Sequence, residues 1–124
     1  MPFYNTATAA AALEVSPKWL DNLLSHNELD GIAREPQGVA RRLPLTAILV
    51  ISLARELIDT TGLSAPSALK LADRLLNSSS QDGPLSPVFT ITVNRDALQS
   101  TLLRKLARAV ETAPTPRRGR PPTR

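Results

Sequence analysis

Eleven prolines and five glycines cut this 124-residue sequence into short apolar pieces, and that punctuation limits its fold more than any other feature. Proline inside a helix removes a backbone donor and clashes with the preceding turn, so each one marks a boundary or a first turn. Ser16-Pro17 reads as a helix start, with Ser at the N-cap and Pro at the first helical position. Leu43-Pro44-Leu45-Thr46 opens another helix, Thr61-Gly62 stops it, and Ser64-Ala65-Pro66 begins the next. Ser78-Ser79-Ser80, Asp82-Gly83-Pro84 and Pro87 then predict a linker over residues 77–87.

The pieces between these marks are mainly helical. Residues 6–13 form a short alanine-rich helix, with Thr6 as N-cap. Glu14-Val15 connects it to a helix from Pro17 to about Ser25. That helix places Leu20, Leu23 and Leu24 on one face and Lys18, Asp21, Asn22 and Ser25 on the others. Ile32-Ala33-Arg34 and Val39-Ala40-Arg41-Arg42-Leu43 bracket Glu35-Pro36-Gln37-Gly38, which predicts a β-hairpin. Thr46 to Asp59 is apolar nearly all round and should form the centre of the core. The next helix, to about Leu76, turns Leu69, Leu71, Ala72, Leu75 and Leu76 inward. Val88 to Val93 alternates like a strand, and Asn94 caps a last helix to about Thr112. Leu98, Leu102, Leu106 and Val110 recur every four residues there, widened by Leu103 and Ala107. The stripe fits either core or a dimer seam. Its length and the linker before it favour the seam, so a homodimer is expected.

Charge is distributed unevenly. The chain carries 15 Lys+Arg and 11 Asp+Glu, a net +4. Arg117, Arg118, Arg120 and Arg124 account for the whole excess: without these four, 11 basic residues balance 11 acidic ones. A neutral body thus carries a basic, proline-rich tail over residues 113–124, expected to be disordered and to meet a polyanion. The absence of Cys excludes disulfides and thiolate metal sites. His26 is the only His, the carboxylates are scattered, and no phosphate-cradling glycine loop or hydrolase motif is present. No enzyme activity, cofactor, metal or small-molecule effector is therefore expected. No apolar run approaches the roughly 20 residues that cross a bilayer, and no signal peptide is evident. The expected setting is cytoplasmic, on the nucleoid.

The order of elements over residues 4–76 resembles the MerR-like winged helix-turn-helix. The resemblance rests on Tyr4-Asn5-Thr6 leading into Ala9-Ala10, then Leu13-Glu14-Val15-Ser16 at the turn and a short second helix. It continues through Arg34, Gly38-Val39-Ala40-Arg41-Arg42-Leu43, and Leu57-Ile58 before Gly62-Leu63. It implies a mainly α fold with a small β-hairpin wing. The strand and helix over residues 88–112, read as a dimerisation element, depart from the long coiled coil through which regulators of this family usually dimerise. The resemblance also implies that the second helix enters the major groove of double-stranded DNA. Ser16, Lys18, Trp19 and Asn22 would face DNA, and Arg34, Arg41 and Arg42 would supply wing contacts. Trp19 could equally pack on the core. Asp21 departs from the pattern, because family members often carry Arg at mid-helix; an acid there repels phosphate but can accept from a cytosine amino group.

The tail adds a second resemblance, to the AT-hook, carried by Arg117, Arg118, Gly119, Arg120 and Pro121. Gly119 lets the backbone approach a groove floor, Arg118 and Arg120 can run along a narrow A/T-rich minor groove, and Pro121-Pro122 favour an extended chain. Together these features predict a transcriptional regulator. An architectural, nucleoid-type or excisionase-like DNA-binding protein uses the same parts. From a different class, a protein-interaction module such as an antitoxin or adaptor would use the last helix to hold a partner protein.

Overall fold

The computed structural model describes residues 3–27, 41–77, 82–86 and 89–112. Over these residues the protein is mainly helical, with five helices and two two-stranded antiparallel sheets. The first helix, α1 (Thr6–Leu13), is capped by Asn5 rather than Thr6. The Asn5 carboxamide oxygen accepts from Thr8 N at 2.7 Å, which moves the cap one residue upstream of its expected place. Small residues fill the inner face of α1, where Thr8, Ala9, Ala10 and Ala12 are buried. Side chains that short let neighbouring helices approach closely.

Helix α1 ends on Glu14, a non-glycine residue in the left-handed region at φ 60° and ψ 41°. Glu14 N donates to Ala11 O at 3.2 Å and Val15 N to Ala10 O at 3.0 Å. This is the paired carbonyl capture of a Schellman ending, and a side chain in that conformation costs about 1–2 kcal/mol. After three intervening residues the chain re-enters a helix, α2 (Pro17–His26), with Ser16 at its N-cap.

An N-terminal strand, β1 (Phe3–Tyr4), pairs antiparallel with β2 (Leu43–Pro44). Phe3 faces Pro44 and Tyr4 faces Leu43. The sequence predicted Leu43 to pair with residues 32–34 in a hairpin. Of that hairpin only Arg41, Arg42 and Leu43 are among the described residues, and Leu43 pairs with the N-terminal strand. Its side chain is fully buried.

The next helix, α3 (Leu45–Thr61), is three residues longer than its expected span and buries Ala47, Ile48, Val50, Ile51, Leu53, Ala54 and Leu57. It stops where predicted, at Gly62, whose φ of 78° suits a residue without a side chain and whose N–H reaches Ile58 O at 3.0 Å. Helix α4 (Ala65–Asn77) packs along α3 through Ala68, Leu69, Leu71, Ala72 and Leu75. The expected linker contains a strand: β3 (Asp82–Ser86) pairs antiparallel with β4 (Phe89–Thr92), with a register irregularity between Pro84 and Ser86. A two-stranded ribbon has an edge on both sides, so it tolerates Gly83 and Pro84, the residues that argued for a loop.

Helix α5 (Arg95–Thr112) starts at Asn94, whose side-chain oxygen accepts from Ala97 N at 3.0 Å. Of the residues expected at a dimer seam, Leu102 and Leu106 are taken up by the core of the same chain. Helix α5 packs against α1 and α3 within the same chain, burying Leu102, Leu106 and Ala109 to 3% exposure or less. Leu98 is half-buried and Val110 is 62% exposed. The four-residue spacing located the apolar stripe, but the burial turns toward Ala109, which an α-helix brings under Leu106 at three residues. Val93, Leu102, Leu106 and Ala109 therefore belong to the same core as α1, α3 and α4.

A polar contact holds the same junction. Lys105 Nζ donates to Glu14 Oε1 at 2.8 Å, and that hydrogen bond, with the ammonium charge, lowers the Glu14 carboxyl below its ordinary range. A carboxyl lowered on folding adds stability above its unfolded pKa and loses it as pH falls through the lowered folded value. The pair is exposed, so salt weakens the contribution. Acid titration of stability should show a small, salt-sensitive loss below the usual carboxylate range that Glu14→Gln lacks. Leu106→Ala should cost about 2–5 kcal/mol in urea denaturation. A wild-type midpoint that rises with protein concentration would show the expected homodimer.

Candidate nucleic-acid interface

The amphipathic spacing of α2 sorts its side chains into two sets. Leu20 and Leu23 are buried and Leu24 half-buried, while Ser16, Lys18, Asp21, Asn22, Ser25 and His26 are exposed. Ser16 Oγ accepts from Trp19 N at 3.0 Å, so this hydroxyl is committed to starting the helix and keeps its own hydrogen to donate. At the other end, His26 Nδ1 donates to Asn22 O at 2.8 Å and Asn27 Nδ2 to Leu23 O at 2.9 Å. The Asn27 contact satisfies a carbonyl that the last turn leaves open. The helix is thus fixed at both ends while Lys18 and the Asn22 carboxamide face outward.

Trp19 is half-buried and lies under Arg55 of α3, whose guanidinium carbon sits 4.9 Å from the ring centroid. Arg55 Nε also donates to Asp59 Oδ2 at 3.2 Å. Of the two roles open to Trp19 in the sequence, packing is the one the geometry displays: it joins α2 to the central helix.

Arg41 occupies a different position from the wing contact expected of it. Its Nη1 donates to Asp21 Oδ1 at 2.9 Å and its Nη2 to Ser25 Oγ at 3.1 Å. One guanidinium thus spans a full turn of the outward face of α2 and compensates the acid at its middle. The Arg41 side chain remains 28% exposed and that of Asp21 54%. Arg42 points elsewhere, with its guanidinium carbon 4.9 Å from the centroid of the Phe3 ring. Local sequence linked Asp21 to Ser25, four residues apart on one face, but nothing local linked either to Arg41. The available signal was an acid in the middle of an otherwise polar and basic helix face, which calls for a cation.

The structure therefore gathers Ser16, Lys18, Asn22 and Arg41 around α2, and leaves Trp19 in the packing and Arg42 against Phe3. Arg34, together with Arg117, Arg118, Gly119, Arg120 and Pro121 of the tail, lies outside the described residues. A cavity of about 470 Å³ opens between α3, α4 and α5. Two of its polar groups serve the fold: Asp73 Oδ1 accepts from Asn77 Nδ2 at 2.6 Å, and Arg95 Nη2 donates to Leu75 O at 2.8 Å. Among the described residues no group of three or more His, Cys, Asp or Glu side chains could hold a metal ion, and no helix is long and apolar enough to cross a membrane.

Replacing Ser16 by Ala should cost about 1 kcal/mol through loss of the cap, read as a lower urea midpoint at unchanged slope. No family model matches the chain, and neither a curated protein nor a solved structure shows significant similarity to it.

Proposed function

We propose that the protein binds double-stranded DNA as a regulator of transcription, with a MerR-like winged helix-turn-helix in its body and an AT-hook-like tail. The observation that carries this reading is α2: a short helix joined to α1 by a three-residue turn, fixed at both ends, with Lys18, Asn22 and Arg41 on its solvent face. In the proposed complex α1 crosses the phosphate backbone and α2 lies in the major groove. Arg34 and Arg42 meet flanking phosphates as wing contacts. The tail residues Arg117, Arg118, Gly119, Arg120 and Pro121 enter an adjacent A/T-rich minor groove. Once the body is bound, the tethered tail acts at high effective concentration and adds avidity.

The charge balance makes the reading quantitative. The body is neutral and the tail carries four Arg, so most counterion release comes from the tail. Fluorescence anisotropy with A/T-rich and G/C-rich duplexes across a salt series checks this. Neutralising Arg117, Arg118, Arg120 and Arg124 to Ala should lower the slope of log affinity against log salt by about 3 to 4 and remove the A/T preference. Binding no stronger than that of a generic basic peptide would overturn the reading and direct attention to α5 as a surface for a protein partner.

A further inference from the structure

We infer that Arg41 reads a guanine from the face of α2, positioned by Asp21 and Ser25, rather than contacting phosphate. The inference rests on the DNA-binding reading and assigns base recognition within it. Its starting point is the fork described above, in which one guanidinium donates to Asp21 Oδ1 at 2.9 Å and to Ser25 Oγ at 3.1 Å. A guanidinium has five N–H donors, and these two contacts use two. Three remain, and a bidentate bond to O6 and N7 of guanine needs two. The Arg41 side chain keeps 28% of its surface exposed, so it is not sealed from a ligand approaching α2.

Charge separates a base contact from a phosphate contact. An Arg whose charge is balanced by a carboxylate at 2.9 Å offers little net attraction to a phosphate, and the carboxylate repels the anion. A base edge carries no formal charge. It is recognised by directional donors and acceptors, which the pairing leaves intact. The same pairing fixes the rotamer of a long, flexible side chain before DNA arrives, which reduces the entropy lost on docking. Asp21, which by itself would weaken binding in the middle of a groove-facing helix, thus becomes a positioning residue. Ser25, one turn further along the same face, holds the second nitrogen and sets the plane of the fork.

The test is selection from a randomised duplex library with the full chain, followed by competition titrations on the selected sequence. The wild type should select at least one guanine whose replacement weakens binding roughly 5- to 150-fold. Arg41→Lys keeps the charge but loses the planar fork. It should lose discrimination at that position while binding random-sequence DNA within about two-fold of wild type. Asp21→Asn should relax the same position and strengthen binding to random DNA, because the Arg41 charge is no longer balanced. An unchanged selected sequence with Arg41→Lys would overturn the inference and leave the DNA-binding reading standing. Failure of the wild type to bind or select any DNA would overturn both.

Discussion

Burial of Leu102 and Leu106 against α1 and α3 is the contact on which the remaining architecture depends. Helix α1 has eight residues, most of them alanine, and isolated helices of that length are marginal in water. Its alanines have little apolar surface of their own to contribute. Its stability must come from what covers it, and α5 supplies the large side chains that α1 lacks. Because α2 follows α1 after only three residues, the orientation of the polar face of α2 is inherited from the α1–α5 contact. The left-handed Glu14, bonded to Lys105 of α5, lies at the point where that orientation is transmitted.

A second pattern runs through the charged side chains. Arg41 is matched by Asp21, Arg55 by Asp59 and the Trp19 ring, Lys105 by Glu14, and Arg42 lies on Phe3. The overall neutrality of the body thus has a local counterpart, since three of these four cations are paired with a carboxylate. Such a surface offers geometry more than attraction. Under the proposed function, long-range attraction to a polyanion falls to the tail and discrimination to the rigid body.

What could be read from the sequence was what local chemistry decides. Ser16-Pro17, Gly62 and Asn94 mark helix boundaries because each satisfies or terminates backbone groups within a few residues, and all three stand where expected. Pairings between distant segments were harder to see. Phe3–Tyr4 is too short to alternate, so its pairing with Leu43–Pro44 left no pattern. The strand Asp82–Ser86 was hidden by Gly83 and Pro84, which usually signal a loop. The apolar stripe of α5 was visible, but periodicity identifies a face without identifying what covers it, and for Leu102 and Leu106 the cover is the chain itself. The site was legible in the same measure. The polar face of α2 followed from spacing, whereas Arg41 reached it from 20 positions away from Asp21.

The anchored end of α5 also sets a length scale. Because α5 is packed on the body, the chain leaves Thr112 from a defined place relative to α2. Six peptide units separate Thr112 from Arg118, and a fully extended chain covers about 20 Å over that distance. At about 3.4 Å per base pair, this leash confines any groove entered by Arg118 to within roughly six base pairs of the helix end. Under the proposed function, the tail contact would then fall within that reach of the point where α5 ends.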